Sequence, residues 1–197
     1  MKIALFDYGA GNLHSLAKAL ESGGGEITVT GDWAQALAMD ALVLPGVGAF
    51  GAAVRSVGKE EGRIRDALEG GYPCLGICLG MQLLLEESEE GEGRGIGLLP
   101  GYVRRLRGKI VPQMGWNDVE ISPDPLFSGM DGLVAYYANS FVCEPSDPGQ
   151  VIATTEYEGE VFAAGVRKGN TWGVQFHPEK SSGPGLQLLR NFLEAVR

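Results

Sequence analysis

The chain has 197 residues, 44% hydrophobic and 21% charged, enough apolar material for one sizeable core and a single domain over residues 1–197. A formal net charge of −9 without any basic stripe argues against nucleic acid or an anionic membrane surface as partner. No apolar run approaches membrane-spanning length, and Cys74, Cys78 and Cys143 are too few for a disulfide framework and lack histidines nearby for zinc, so a soluble, cytoplasmic protein without metal or cofactor is expected.

Lys2–Phe6 reads as a buried strand, followed by a glycine-containing turn at 7–12. A helix is expected over 13–22, with Leu13, Leu16, Ala17 and Leu20 on one face. Strands follow at Glu26–Thr30 and Ala41–Leu44, the latter ending in Pro45, Gly46, Val47 and Gly48. A charged helix over 58–69 leads to a strand at 73–77, which runs directly into Cys78 and a helix over 79–87. Strands alternating with helices predict an α/β fold with a doubly wound, mostly parallel sheet, whose active-site loops gather beyond the carboxyl ends of the strands. The turns at 7–12, 45–48 and 77–78 share that rim.

The second half is β-rich. Strands are expected at 102–111, 116–121, 133–141, Val151–Tyr157, 161–167 and 171–176, with hairpin turns at 158–160 and 168–170. A helix over 184–196 closes the chain, with Leu186, Leu189, Phe192 and Leu193 as its apolar set.

Gly76, Ile77, Cys78, Leu79 and Gly80 have the form Gly-x-Cys-x-Gly at a strand-to-helix junction, a nucleophile elbow with cysteine in place of serine. The turn is so tight that side chains at the flanking glycines would collide. It should lift the sulfur into the open at a helix N-terminus, a setting that suits the reactive thiolate. In a glycine-rich chain the pattern alone is modest evidence, and the bland alternative is a small buried thiol, the expected state of Cys74 and Cys143. Only His14 and His177 can serve as acid/base. His14 falls on the first helix and reads as a surface residue. His177 ends a strand and is followed by Pro178 and Glu179, whose carboxylate can orient the imidazole as the third member of a triad. An oxyanion needs N–H donors, which Leu79 and the loop of Gly46, Val47 and Gly48 are placed to supply. A dinucleotide fingerprint at Gly9 and Gly11 fails, because its third glycine would fall on His14.

Taken together, these residues resemble the class I glutamine amidotransferases. Within that class the chain is similar to the glutaminase subunits of imidazole glycerol phosphate synthases, in the segments 7–13, 45–50, 76–84, 114–117 and 174–182. The resemblance implies a flavodoxin-like glutaminase fold and a triad of Cys78, His177 and Glu179. It also implies glutamine recognition by Gln82 and Glu90, with backbone contacts near Ser140 and Phe141. The implied partner is a (βα)8-barrel cyclase that receives ammonia in a heterodimer, facing Asn12, Trp116, Tyr136 and Lys180. Gln113 and Asn139 stand where that group commonly has histidine, which bears on the pocket rim and the interface. A glutaminase serving another synthase, a non-catalytic module on the same fold, and a stand-alone cysteine hydrolase remain as alternatives.

Overall fold

The computed structural model describes residues 1–9, 13–46 and 48–197. In the first half, strands β1 (Lys2–Phe6), β2 (Glu26–Thr30), β3 (Ala41–Leu44) and β4 (Cys74–Ile77) alternate with helices α1 (His14–Ser22), α2 (Trp33–Ala36), α3 (Phe50–Val57), α4 (Glu61–Glu69) and α5 (Leu79–Leu83). The second half supplies β5 (Glu87–Ser88), β6 (Gly101–Arg105), β7 (Gln113–Ile121), β8 (Leu133–Asn139), β9 (Phe141–Pro145), β10 (Val151–Tyr157), β11 (Glu160–Lys168) and β12 (Thr171–Val174), then helix α6 (Ser182–Ala195).

Strands β2-β1-β3-β4-β12 lie side by side and parallel, in the flavodoxin-like order. The sheet then continues antiparallel through β11, β10, β7 and β8. Every residue of β3, β4 and β12 is buried, because helices cover both faces there. Leu16 and Leu20 of α1 and Leu188, Leu189 and Phe192 of α6 pack on one face. Phe50 and Ala53 of α3, Ile64 of α4 and Met81 of α5 pack on the other. Each such Leu, Ile or Phe contributes roughly 1.5–3 kcal/mol. In β8, by contrast, Leu133, Ala135, Tyr137 and Asn139 are buried while Val134, Tyr136 and Ala138 alternate outward.

Several expected boundaries move. The expected strand over 133–141 divides at Ser140: β8 joins the large sheet, whereas β9 joins β5 and β6 in a separate three-stranded sheet. Arg104 of β6 ties the two sheets together through its ion pair with Glu160 of β11, while its second pair, with Glu144 of β9, stays within the small sheet. The strand expected over 102–111 ends at Arg105. The helix expected over 79–87 stops at Leu83, and the fully buried Leu84 and Leu85 continue into the core beyond it. Helix α3 escaped the sequence reading: Ala49 offers no capping side chain, and only Phe50, Ala53 and Val57 mark its buried face. Glu158 and Gly159, with φ of 53° and 81°, make the tight turn expected between β10 and β11.

Candidate active site

The rim beyond the carboxyl ends of β3, β4 and β12 brings three short segments together. Cys78 follows β4 directly and adopts φ 46° and ψ −103°, a strained conformation for a residue with a Cβ. Its N–H donates to Val174 O at 2.7 Å, and its carbonyl accepts from Gln82 N–H at 3.0 Å, so β12 and α5 both hold the turn. Both flanking glycines are obligatory. A Cβ on Gly80 would stand 2.1 Å from Leu44 O, and one on Gly76 would stand 2.6 Å from Gly80 O.

His177 follows the end of β12, and its imidazole stands beside the Cys78 side chain. On the other side of the ring, Nδ1 lies 2.9 Å from Glu179 Oε1. Gly46, just past β3, completes the cluster: a Cβ there would come within 2.9 Å of both Cys78 Cβ and His177 Cε1. Burial lowers the His177 pKa, but the influence of Cys78 and Glu179 beside the ring outweighs it and carries the group up to about 9. Burial pushes the Cys74 and Cys143 thiols up, in keeping with core cysteines. His14 is exposed at the start of α1.

The sulfur does not stand in the open. Cys78 is 7% exposed and faces a pocket of about 210 Å³ whose lining includes Gly46, Gly48, Leu79, Gln82, Glu90 and Ser140. The cause is the division of the chain at Ser140, which folds 138–141 over the elbow. Gln82 Nε2 donates to Phe141 O at 3.4 Å, and Asn139 Nδ2 donates to the same oxygen at 3.2 Å. The Ser140 carbonyl accepts from Leu106 N–H. Burial raises the Glu90 pKa, against a smaller opposing influence of the Phe50 backbone. Leu79 opens α5, where a helical N–H has no acceptor within the helix. Gly48 has φ 113°, whereas Val47 lies outside the described residues. A larger cavity of about 470 Å³ near Pro123 and Met130 shares no residue with this pocket, and its charged residue, Asp124, is already engaged by Arg167 and Trp172. Among the described residues no group of His, Cys, Asp and Glu is arranged to hold a metal, and no helix is long and apolar enough to cross a membrane.

Residues 4–196 match the family described as "Glutamine amidotransferase class-I". The chain belongs to that family. It is 48% identical over 202 residues to the imidazole glycerol phosphate synthase subunit HisH of Moorella thermoacetica, covering 99% of this chain and 95% of the relative. With the HisH subunit of Halobacterium salinarum the identity is 45%, over 98% of this chain and 92% of the relative. A solved structure described as a glutamine amidotransferase superposes with a TM-score of 0.78 at 22% identity, covering 98% of each chain. The PurLQS structure from Thermotoga maritima gives 0.76 at 21%, covering all of this chain and 99% of the other. At such identities these two speak for the fold alone.

In this class-I amidotransferase the site adjoins an exposed aromatic face. Trp116 of β7 and Tyr136 of β8 are register partners with ring centroids 6.1 Å apart, and Lys180 Nζ lies 5.8 Å from the Tyr136 ring. Met114 and Trp116 are 67% and 53% exposed, an unusual outlay of large apolar surface on one edge of a sheet. Asn12 lies outside the described residues. The sequence reading of this amidotransferase missed Gln175, whose Nε2 lies 3.4 Å from Cys78 Sγ, and Ser181, fully buried beneath His177. Gln175 had one signal: it stands two residues before His177 on a chain leaving a strand, where alternate residues share a side.

Proposed function

We propose that this enzyme subunit is the glutaminase of an imidazole glycerol phosphate synthase, hydrolysing glutamine through a Cys78 thioester and passing the ammonia to a cyclase. The observation that carries the reading is the row Cys78–His177–Glu179, with Cys78 lining a pocket about the size of a small amino acid and Glu179 hydrogen-bonded to the far side of the imidazole. The HisH relatives, matched over nearly their whole length, support the choice of synthase.

In this mechanism His177 takes the Cys78 proton, and the thiolate attacks the side-chain amide carbon of glutamine. The N–H of Leu79 and the loop of Gly46, Val47 and Gly48 receive the oxyanion. His177 then protonates the departing nitrogen, ammonia leaves, and the acyl group remains on sulfur. Next His177 takes a proton from water, which attacks the thioester and frees glutamate. Glu179 keeps the imidazole oriented throughout. Gln82 and the backbone at Ser140 and Phe141 fix the substrate, and Glu90 pairs with its α-ammonium.

Residues 1–197 act as one glutaminase domain in a cytoplasmic heterodimer. Its partner is a (βα)8-barrel docked on the face of Trp116, Tyr136 and Lys180, and the family resemblance adds Asn12 as a further contact. The cyclase uses the ammonia to make imidazole glycerol phosphate and an aminoimidazole carboxamide ribotide. Cys78→Ala in the complex tests this: glutamine-driven synthesis should vanish while synthesis from ammonium salts persists. Retained glutamine-driven synthesis would rule out Cys78 as nucleophile, and activity only with another synthase partner would rule out the assignment.

A further inference from the structure

We propose that Gln175 is a positioning residue for Cys78, its side-chain amide N–H holding the sulfur alongside His177. The inference rests on Cys78 being the nucleophile.

The backbone leaves Gln175 little freedom. Its N–H donates to Ala164 O of β11 at 2.9 Å, and the preceding carbonyl, Val174 O, accepts the Cys78 N–H. β11 and the elbow therefore grip the chain on either side of this residue. The side chain is fully buried, with Nε2 3.4 Å from Cys78 Sγ. Its Oε1 is buried too and has no partner among the described residues.

That orphaned oxygen is informative. An unsatisfied buried polar atom costs about 1–3 kcal/mol, whereas an apolar side chain of the same length would avoid the penalty. Packing gives no reason for glutamine here; the sulfur does. An N–H donor is strongest toward an ionised acceptor, so the amide favours the thiolate over the thiol. An amide also does not titrate near neutral pH, so it can hold the sulfur without competing with His177 for the proton. The ionisable groups around this sulfur are His177, Glu179 behind it, Glu90 on the pocket wall and the buried Cys143. Gln175 is the polar, non-ionising contact among them.

The test is the pH dependence of Cys78 alkylation by iodoacetamide in the full-length protein, read by peptide mass spectrometry, with buried Cys74 and Cys143 as internal controls. Gln175→Met keeps the length and removes the donor. Its alkylation midpoint should rise by about one pH unit and its rate at pH ~7 should fall about tenfold, with an unchanged or higher Tm. In the complex, kcat for glutamine should fall while KM holds. Gln175→Glu, of equal size but acceptor and anion, should move the midpoint up further. A wild-type profile in either variant overturns the proposal, and Gln175→Glu decides it alone should Gln175→Met fail to fold. Wild-type protein whose Cys78 resists both iodoacetamide and a glutamine-analogue alkylator would instead overturn the nucleophile assignment beneath it.

Discussion

The backbone carbonyl of Tyr136 accepts the His177 N–H at 2.8 Å. The strand that carries Tyr136 of the exposed aromatic face therefore also braces the backbone of the proposed acid/base. Ser181 closes the link: the Tyr136 N–H donates to Ser181 Oγ at 2.9 Å, and that hydroxyl donates to the His177 carbonyl at 2.6 Å. Anything that displaces β8 moves His177 with it. We predict that Ser181→Ala loses about 1–2 kcal/mol of stability and, with the cyclase present, several-fold in glutaminase kcat. Denaturant melts and steady-state rates, measured side by side, would test this; full activity would dismiss the link as structural only.

The His177 ionisation makes a prediction about stability and pH. Folding raises this pKa from its ordinary 6.5 to about 9. The stabilisation is then fully present below the unfolded value and disappears as pH climbs through the folded one. The Tm advantage of wild type over His177→Asn should therefore shrink between about pH 6.5 and pH 9. A constant advantage across that window would contradict the raised pKa.

Two glycine substitutions should separate scaffold from site. Gly80→Ala drives a methyl into the backbone of β3, 2.1 Å from Leu44 O, and should destabilise by about 3 kcal/mol or more. Gly46→Ala meets side-chain atoms of Cys78 and His177 at 2.9 Å. It should leave a folded protein whose glutaminase rate falls at least roughly a hundredfold, since displacing reacting groups by an ångström has that effect. Circular dichroism melts beside activity assays would distinguish the two.

Glu90 stands on the pocket wall with a carboxyl that burial makes harder to ionise. An α-ammonium beside it would compensate. Glu90→Gln should raise KM for glutamine about tenfold or more, with a smaller effect on kcat. An unchanged KM would remove Glu90 from the substrate site.

The aromatic face yields a binding prediction. Trp116 combines large area with high exposure, the profile of an interface anchor. Trp116→Ala should weaken cyclase binding by at least roughly 2 kcal/mol, about thirtyfold in Kd, without lowering the Tm of the isolated subunit. Calorimetric titration against the cyclase measures this, and unaltered affinity would move the interface elsewhere.

Much of this was legible along the chain, because its physics is local. Apolar runs of four or five residues specified β1, β3, β4 and β12, and the Gly-x-Cys-x-Gly spacing marked the turn at Cys78, since a Cβ at Gly76 or Gly80 strikes backbone. His177 and Glu179, two apart, face each other across a proline turn that the sequence spells out. Tertiary structure alone decided the rest. The approach of Cys78 to His177 depends on β4 pairing with β12, residues nearly a hundred positions away in the chain, and no periodicity encodes which strands become neighbours. The same pairing sets Gln175 against the sulfur. The division at Ser140, which turns an open rim into a pocket, arises because β8 and β9 find partners in different sheets, a choice made by long-range hydrogen bonding rather than by local pattern.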